Sequence, residues 1–195
     1  MKRQRRKAPP KAPPRSAKQI WKSWYESKAP LVQFCLKFCG LLIFFYTLSF
    51  LPVYHRILDA TLTINARLAS ALLDRLGENT QVTNATIWSM KYAITVLPAC
   101  SAVEFLAFFC AMVIAFPSRI SRKIPGILVG VVLLLALNQL RITSLYYIGA
   151  HFPKAFDTTH EDLWSVALII GEIALCMAWI GWARESEKAQ SDGVA

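Results

Sequence analysis

Residues 124–150 read IPGILVGVVLLLALNQLRITSLYYIGA, 27 residues with a single charge, Arg141. At a rise of 1.5 Å per residue this helix would cover about 40 Å, more than a bilayer's hydrocarbon core. Working outward, three more apolar segments have comparable character. Leu31 to Tyr54 carries only Lys37 before its outer end, Ala99 to Pro117 only Glu104, and Leu163 to Ala183 only Glu172. Each has about the 20 residues needed to cross a membrane. Composition agrees: 55% of the 195 residues are hydrophobic and 17% charged, too apolar for an ordinary soluble domain and too ordered in pattern for a disordered chain.

The net charge of +10 is concentrated in one place. Residues 1–30 hold ten Lys or Arg and one acid, Glu26, whereas residues 31–195 are close to neutral, with 12 basic against 11 acidic residues. The opening MKRQRRKAPPKAPPRSAK cannot bury a core, and its Ala-Pro-Pro repeats favour extended chain. Such a run suits nucleic acid or a membrane surface. Ahead of an apolar span it fixes orientation and contacts anionic lipid, so no nucleic-acid partner is expected. Trp21, Trp24 and Tyr25 fit an interfacial aromatic belt.

Arg119, Arg122 and Lys123 lie between the second and third segments. The positive-inside rule then places both termini in the cytoplasm, with residues 55–98 and 151–162 outside. In residues 55–77, Arg56, Asp59, Thr63, Arg67, Ser70 and Asp74 recur at helical spacing, opposite Ile57, Leu58, Leu62, Leu68, Leu72 and Leu76. That predicts an amphipathic helix on the outer leaflet, ended by Gly77. The stretch QVTNATIWSMKYAITV favours short strands, with a hairpin turning near Asn84. The expected class is an all-α integral membrane protein. Four transmembrane helices (31–183) carry the outer helix and hairpin, with a disordered basic tail at 1–30 and a C-terminal tail at 184–195.

Within spans, polar groups are costly and need a partner or a task. Arg141 lies roughly 9–14 Å below the outer end of its helix, with Asn138 one turn earlier on the same face. Cys100, beside Ser101, follows Pro98 at the outer start of the second segment, where free amides and the helix dipole favour a thiolate. Glu104, four residues on, shares that face and is placed to pair with Arg141. His160 opens the fourth segment from the outer loop HFPKAFDTTHEDLW, with His151 the competing imidazole. Nucleophile, base and oxyanion stabiliser are the minimum for thiol-based acyl transfer. Each residue also has a plain structural reading: Cys100 as packing, His160 as a helix cap, and Arg141 as an ion-pair partner of Glu104 or Glu172. These readings describe a non-enzymatic membrane scaffold or assembly factor. An anion transporter is disfavoured because no broken, repeated spans are present. The odd count of five cysteines, without CxxC or Cys/His spacing, gives no zinc site or disulfide framework.

At PACSAVEF, NQLRI and TTHEDLW, in that order, the chain resembles the exosortase/archaeosortase family of multispanning cysteine transpeptidases. The resemblance covers about residues 30–185, and the short chain is most similar to the exosortase H type. The family often has Gly soon after the Cys-Ser pair, where this chain has Ala102. By position, Cys100 resembles the family nucleophile, Arg141 its arginine and His160 its histidine, with Ser101, Asn138 and Glu104 as supporting residues. The resemblance implies a bacterial inner-membrane enzyme with its site on the periplasmic side and no cofactor. Its clients would carry a C-terminal sorting signal of short motif, membrane span and basic tail. A thioester on Cys100 would then pass to an acceptor nucleophile or to water.

Overall fold

In the computed structural model, backbone is described for residues 17–192 and side chains for residues 28–185. The opening basic run up to Ser16, and the side chains of Trp21, Trp24 and Tyr25, lie outside the described residues. Five helices and three short strands make up the fold: α1 (Ala17–Leu48), α2 (Pro52–Arg75), β1 (Gln81–Thr83), β2 (Thr86–Trp88), β3 (Ala93–Thr95), α3 (Val103–Ala115), α4 (Ile120–His151) and α5 (Trp164–Asp192). A 3-10 turn at Pro98–Cys100 precedes α3, and a π-helical turn at Thr158–Leu163 precedes α5.

Three stretches are long and apolar enough to cross a membrane: Lys28–Leu48, Ile120–His151 and Thr158–Glu185. The second expected span is shorter than its apolar run suggested. Pro98 and a left-handed Ala102 (φ 62°) detach residues 98–102 from the helix, and α3 keeps 13 residues. That is about 20 Å, less than a hydrocarbon core of about 30 Å. The first segment also ends early, because Pro52, which lacks an amide hydrogen, starts α2 and takes Tyr54 with it. At the other end α1 begins at Ala17, so helix replaces the expected disordered tail over Ala17–Pro30, where the proline repeats have stopped. Helix α5 likewise continues to Asp192.

Apolar side chains face outward as well as inward. On α1, Leu31, Leu36, Ile43 and Phe44 are all exposed, the arrangement of a helix whose solvent is lipid. It attaches through aromatic contacts to α3: Phe38 meets Phe108 edge-on at 5.1 Å, and Phe34 meets Phe116 at 6.3 Å. Helices α3, α4 and α5 share a core of Phe109, Met112, Val113, Leu134 and Trp179. Gly126 and Gly130 let these helices close on α4, since a Cβ on Gly126 would collide with the Trp179 indole and one on Gly130 with the Phe109 ring. At that end of the bundle Lys123 Nζ donates to the Ile114 carbonyl in the last turn of α3 (2.6 Å), and Arg122 Nη1 donates to the Ala183 carbonyl (3.0 Å).

A second core sits at the opposite end, between α2, the sheet and α4. Helix α2 buries Leu62, Ala66, Ala69 and Leu73, and the two alanines at the centre of that stripe let it approach α4 closely. Ser70 belongs to this buried face, not to the polar one, and bonds to Thr80 Oγ1 at 2.7 Å. The expected helix is present and Arg56, Asp59, Arg67 and Asp74 are exposed, but α2 meets protein on one face while Ile57, Ile64, Leu68 and Leu72 stand exposed on another. Gly77 (φ 91°) ends α2 as expected, with Glu78 N–H bonding to the Leu73 carbonyl and Gly77 N–H to that of Asp74.

The expected hairpin turns at Asn84 (φ 56°), a residue type that tolerates left-handed backbone. A third strand follows, making a sheet of order β1-β2-β3, antiparallel throughout. Glu78 clamps the sheet to α4. Its carboxylate accepts from Lys91 Nζ at 2.9 and 3.1 Å and meets His151 Nε2 at 3.2 Å. The Lys91 hydrogen bond, then that of His151, holds its carboxyl below the usual carboxylate range. A lowered native pKa adds stability that is present above the unfolded-state value and lost as pH falls through the native one. Accordingly, Glu78→Gln is expected to lower the thermal midpoint at pH 7 and to leave it nearly wild-type at acid pH. Melting curves of the purified protein between pH 3 and 7 check this.

Candidate active site

The 3-10 turn exists because Pro98 fixes φ where Leu97 leaves the strand region, and Cys100 N–H closes on the Leu97 carbonyl at 2.8 Å. This turn points two successive carbonyls at α4. Asn138 Nδ2 donates to the Cys100 carbonyl at 3.0 Å, and Arg141 Nη1 donates to the Ala99 carbonyl at 3.3 Å. Residues three apart on a helix share a face, so one side of α4 holds the whole turn. Both side chains are buried, Asn138 completely. The Nε of Arg141 is buried and has no partner. A guanidinium with donors to spare is suited to an oxyanion.

Ser101 is buried and its Oγ accepts from Val103 N–H at 3.3 Å, which supports the start of α3. Ala102, between them, occupies the left-handed region that favours glycine, at a cost of about 1–2 kcal/mol for an L-residue. The conformation swings Glu104 away: it is exposed, and it makes no ion pair with Arg141. The expected pairing assumed one continuous helix from Cys100 to Glu104, which the left-handed residue breaks. Among the described residues Arg141 has no carboxylate partner, Glu172 included, so its neighbours are main-chain carbonyls. Ala102→Val would add a β-branched side chain at positive φ and is expected to destabilise by more than about 2 kcal/mol, whereas Ala102→Gly is tolerated. Thermal unfolding of both variants in detergent checks this pair.

His160 approaches from the π-helical turn, with Nε2 3.8 Å from Cys100 Sγ. Its ring stacks on Phe156 one turn earlier, centroids 5.7 Å apart and planes within 3°. Phe156 in turn packs on Tyr92, and Tyr92 on Tyr146, whose hydroxyl donates to Ser89 at 2.5 Å. The imidazole is thereby tied to the sheet and to α4. His151, the competing imidazole, is turned toward Glu78 instead. Phe156 and Tyr146 were not singled out in the sequence; the four-residue spacing of Phe156 and His160 is the signal that would have found the first.

The thiol, the imidazole and a guanidinium therefore converge at one end of the bundle, from three separate segments of chain. Cys35, Cys39, Cys110 and Cys176 are free thiols elsewhere on the helices. Among the described residues no group of three or more His, Cys, Asp or Glu is placed to hold a metal ion.

Comparison with curated proteins and with solved structures returned no match. The family model described as transmembrane exosortase matches residues 30–178, more than three-quarters of the chain and all three segments that carry the site. By that match the chain belongs to the transmembrane exosortase family.

Proposed function

We propose that this exosortase-family protein is a membrane cysteine transpeptidase that removes C-terminal sorting signals through a thioester on Cys100. The observation that carries the reading is the 3.8 Å approach of His160 Nε2 to Cys100 Sγ, on a turn whose Ala99 carbonyl accepts from the guanidinium of Arg141. His160 takes the thiol proton, and the thiolate attacks the scissile carbonyl of the client. Arg141 donates to the resulting oxyanion through the N–H groups not spent on Ala99. His160 returns the proton to the departing amine, the C–N bond breaks, and the client's acyl group stays on Cys100 as a thioester. An incoming amine or water, deprotonated by His160, then displaces the sulfur. Asn138, Arg141 and Ser101 hold the backbone of the nucleophile throughout.

The basic residues Arg119, Arg122 and Lys123 favour a cytoplasmic position for the α3–α4 connection, which puts Cys100 on the periplasmic side of a bacterial inner membrane. A client would carry a motif, an apolar helix and a basic tail, so that its scissile bond stands at the depth of Cys100. The test is co-production with such a client, followed by intact-mass measurement. Loss of the C-terminal signal only in the presence of the inserted enzyme supports the reading; an uncut client beside a correctly inserted enzyme overturns it. In the same assay Arg141→Lys is expected to reduce processing by about 100-fold, because a compact ammonium lacks the spread of donors with which the guanidinium fork reaches the Ala99 carbonyl and an oxyanion together. Full activity in that variant would leave Arg141 a charge role only.

A further inference from the structure

Strand β3 forms an edge of the sheet and runs directly into the turn that carries Cys100. Two hydrogen bonds fix its pairing: Ser89 N–H to the Tyr92 carbonyl, and Val96 N–H to the Ala85 carbonyl. Antiparallel pairs alternate, so the even-numbered residues 92, 94 and 96 bond to β2. The amides and carbonyls of Ala93 and Thr95 then face away from the sheet, and both residues are exposed. Among the described residues neither main chain has a partner on that side.

Beside this edge lies a cavity of about 130 Å³ with Cys100 and His160 on its lining. Val96, Leu97, Ile142, Leu145 and Phe156 supply most of the rest. Its volume is close to that of an apolar cavity of about 150 Å³ that holds benzene, so it accepts one aliphatic side chain and excludes a charged one. An unpaired edge binds extended peptide through main-chain hydrogen bonds, and a pocket at alternate positions reads the side chain.

We propose that the segment of the client ahead of the scissile bond lies as an added strand on β3. The residue bearing the attacked carbonyl then places an aliphatic side chain in this cavity. This rests on Cys100 being an acylated nucleophile, and it adds the subsite that selects the residue. Leu145 and Ile142 set the depth of the pocket, and the free edge at Ala93 and Thr95 sets the direction of the peptide.

The experiment uses the full chain in lipid nanodiscs and chloromethyl ketones of the form acetyl-Ala-Ala-Ala-X. The Cys100 thiolate displaces chloride and forms a stable thioether. Each rate is divided by the iodoacetamide labelling rate of Cys100 in the same variant. Val or Leu at X is expected to label at least about tenfold faster than Gly or Asp, the scale on which apolar pockets discriminate. Leu145→Phe, which fills the cavity, should flatten that ratio to within about twofold. Leu97→Trp at the rim gives the same reading should Leu145→Phe not fold. Methylating the peptide amides one at a time should slow labelling at alternate positions only. Equal rates for all X, a preference that survives both variants, or equal effects of every methylation overturns the proposal. Iodoacetamide labelling of Cys100 that ignores loss of His160 would instead count against the acyl-transfer reading itself.

Discussion

Cys100→Ala is expected to abolish removal of the client's C-terminal signal, a loss of at least about 10⁴-fold, the scale seen when the nucleophile of a catalytic set is deleted. No other thiol can substitute. Cys35 and Cys39 lie on α1, and Cys110 and Cys176 lie within the α3 and α5 helices, away from His160. The substitution removes one buried sulfur from the core of α2, the sheet and α4, where the packing is set by Leu62, Leu73, Ile142 and Tyr146. The carbonyls of Ala99 and Cys100 still bond to Arg141 and Asn138, so the turn itself is retained. The variant should therefore insert and accumulate like the wild type while the client keeps its full mass. A processed client in Cys100→Ala cells would return Cys100 to a packing role and the protein to a scaffold.

His160→Ala should cost about 10²–10⁴-fold, the range for a positioned general base. His151→Ala is the informative partner. Its imidazole is bonded to Glu78 and packed on Tyr147 at 4.4 Å between ring centroids, so its loss loosens the outer clamp without removing a base from Cys100. Processing should drop less than about threefold in His151→Ala when both proteins are compared at equal inserted amounts. Client processing rates in isolated membranes separate the two. Processing that is lost in His151→Ala and retained in His160→Ala would assign the base to His151.

The long apolar helices were legible because nothing but lipid accommodates 27 residues with a single charge, as in residues 124–150. The end of α2 was legible from Gly77, which follows the C-cap Leu76 and adopts positive φ. The break at Ala102 was not, because an alanine gives no sign of left-handed backbone. A glycine there would have announced it, and with it the shortening of α3 and the exposure of Glu104. Helix α2 misled for a different reason. Its buried stripe includes Ala66, Ala69 and Ser70 beside Leu62 and Leu73, and these small residues look neutral in a hydropathy pattern but permit close approach to α4. Strand β3 has only three residues, too few for alternation to stand out, although it borders the cavity beside Cys100. The site's three chemical groups were visible as costly residues in apolar surroundings. What only the fold supplied was the carbonyl grip of Asn138 and Arg141 on the turn of Cys100, and the choice of His160 over His151 as the ring facing the thiol.

The thioester proposed on Cys100 is measured most directly by peptide mapping with mass spectrometry of the full-length enzyme, quenched in acid while processing a client with a motif, apolar helix and basic tail. The expected result is a Cys100 peptide bearing the client's new C-terminus, released by neutral hydroxylamine and missing in Cys100→Ser. A client cleaved at the wild-type rate with Cys100 unmodified at every quench time would contradict it.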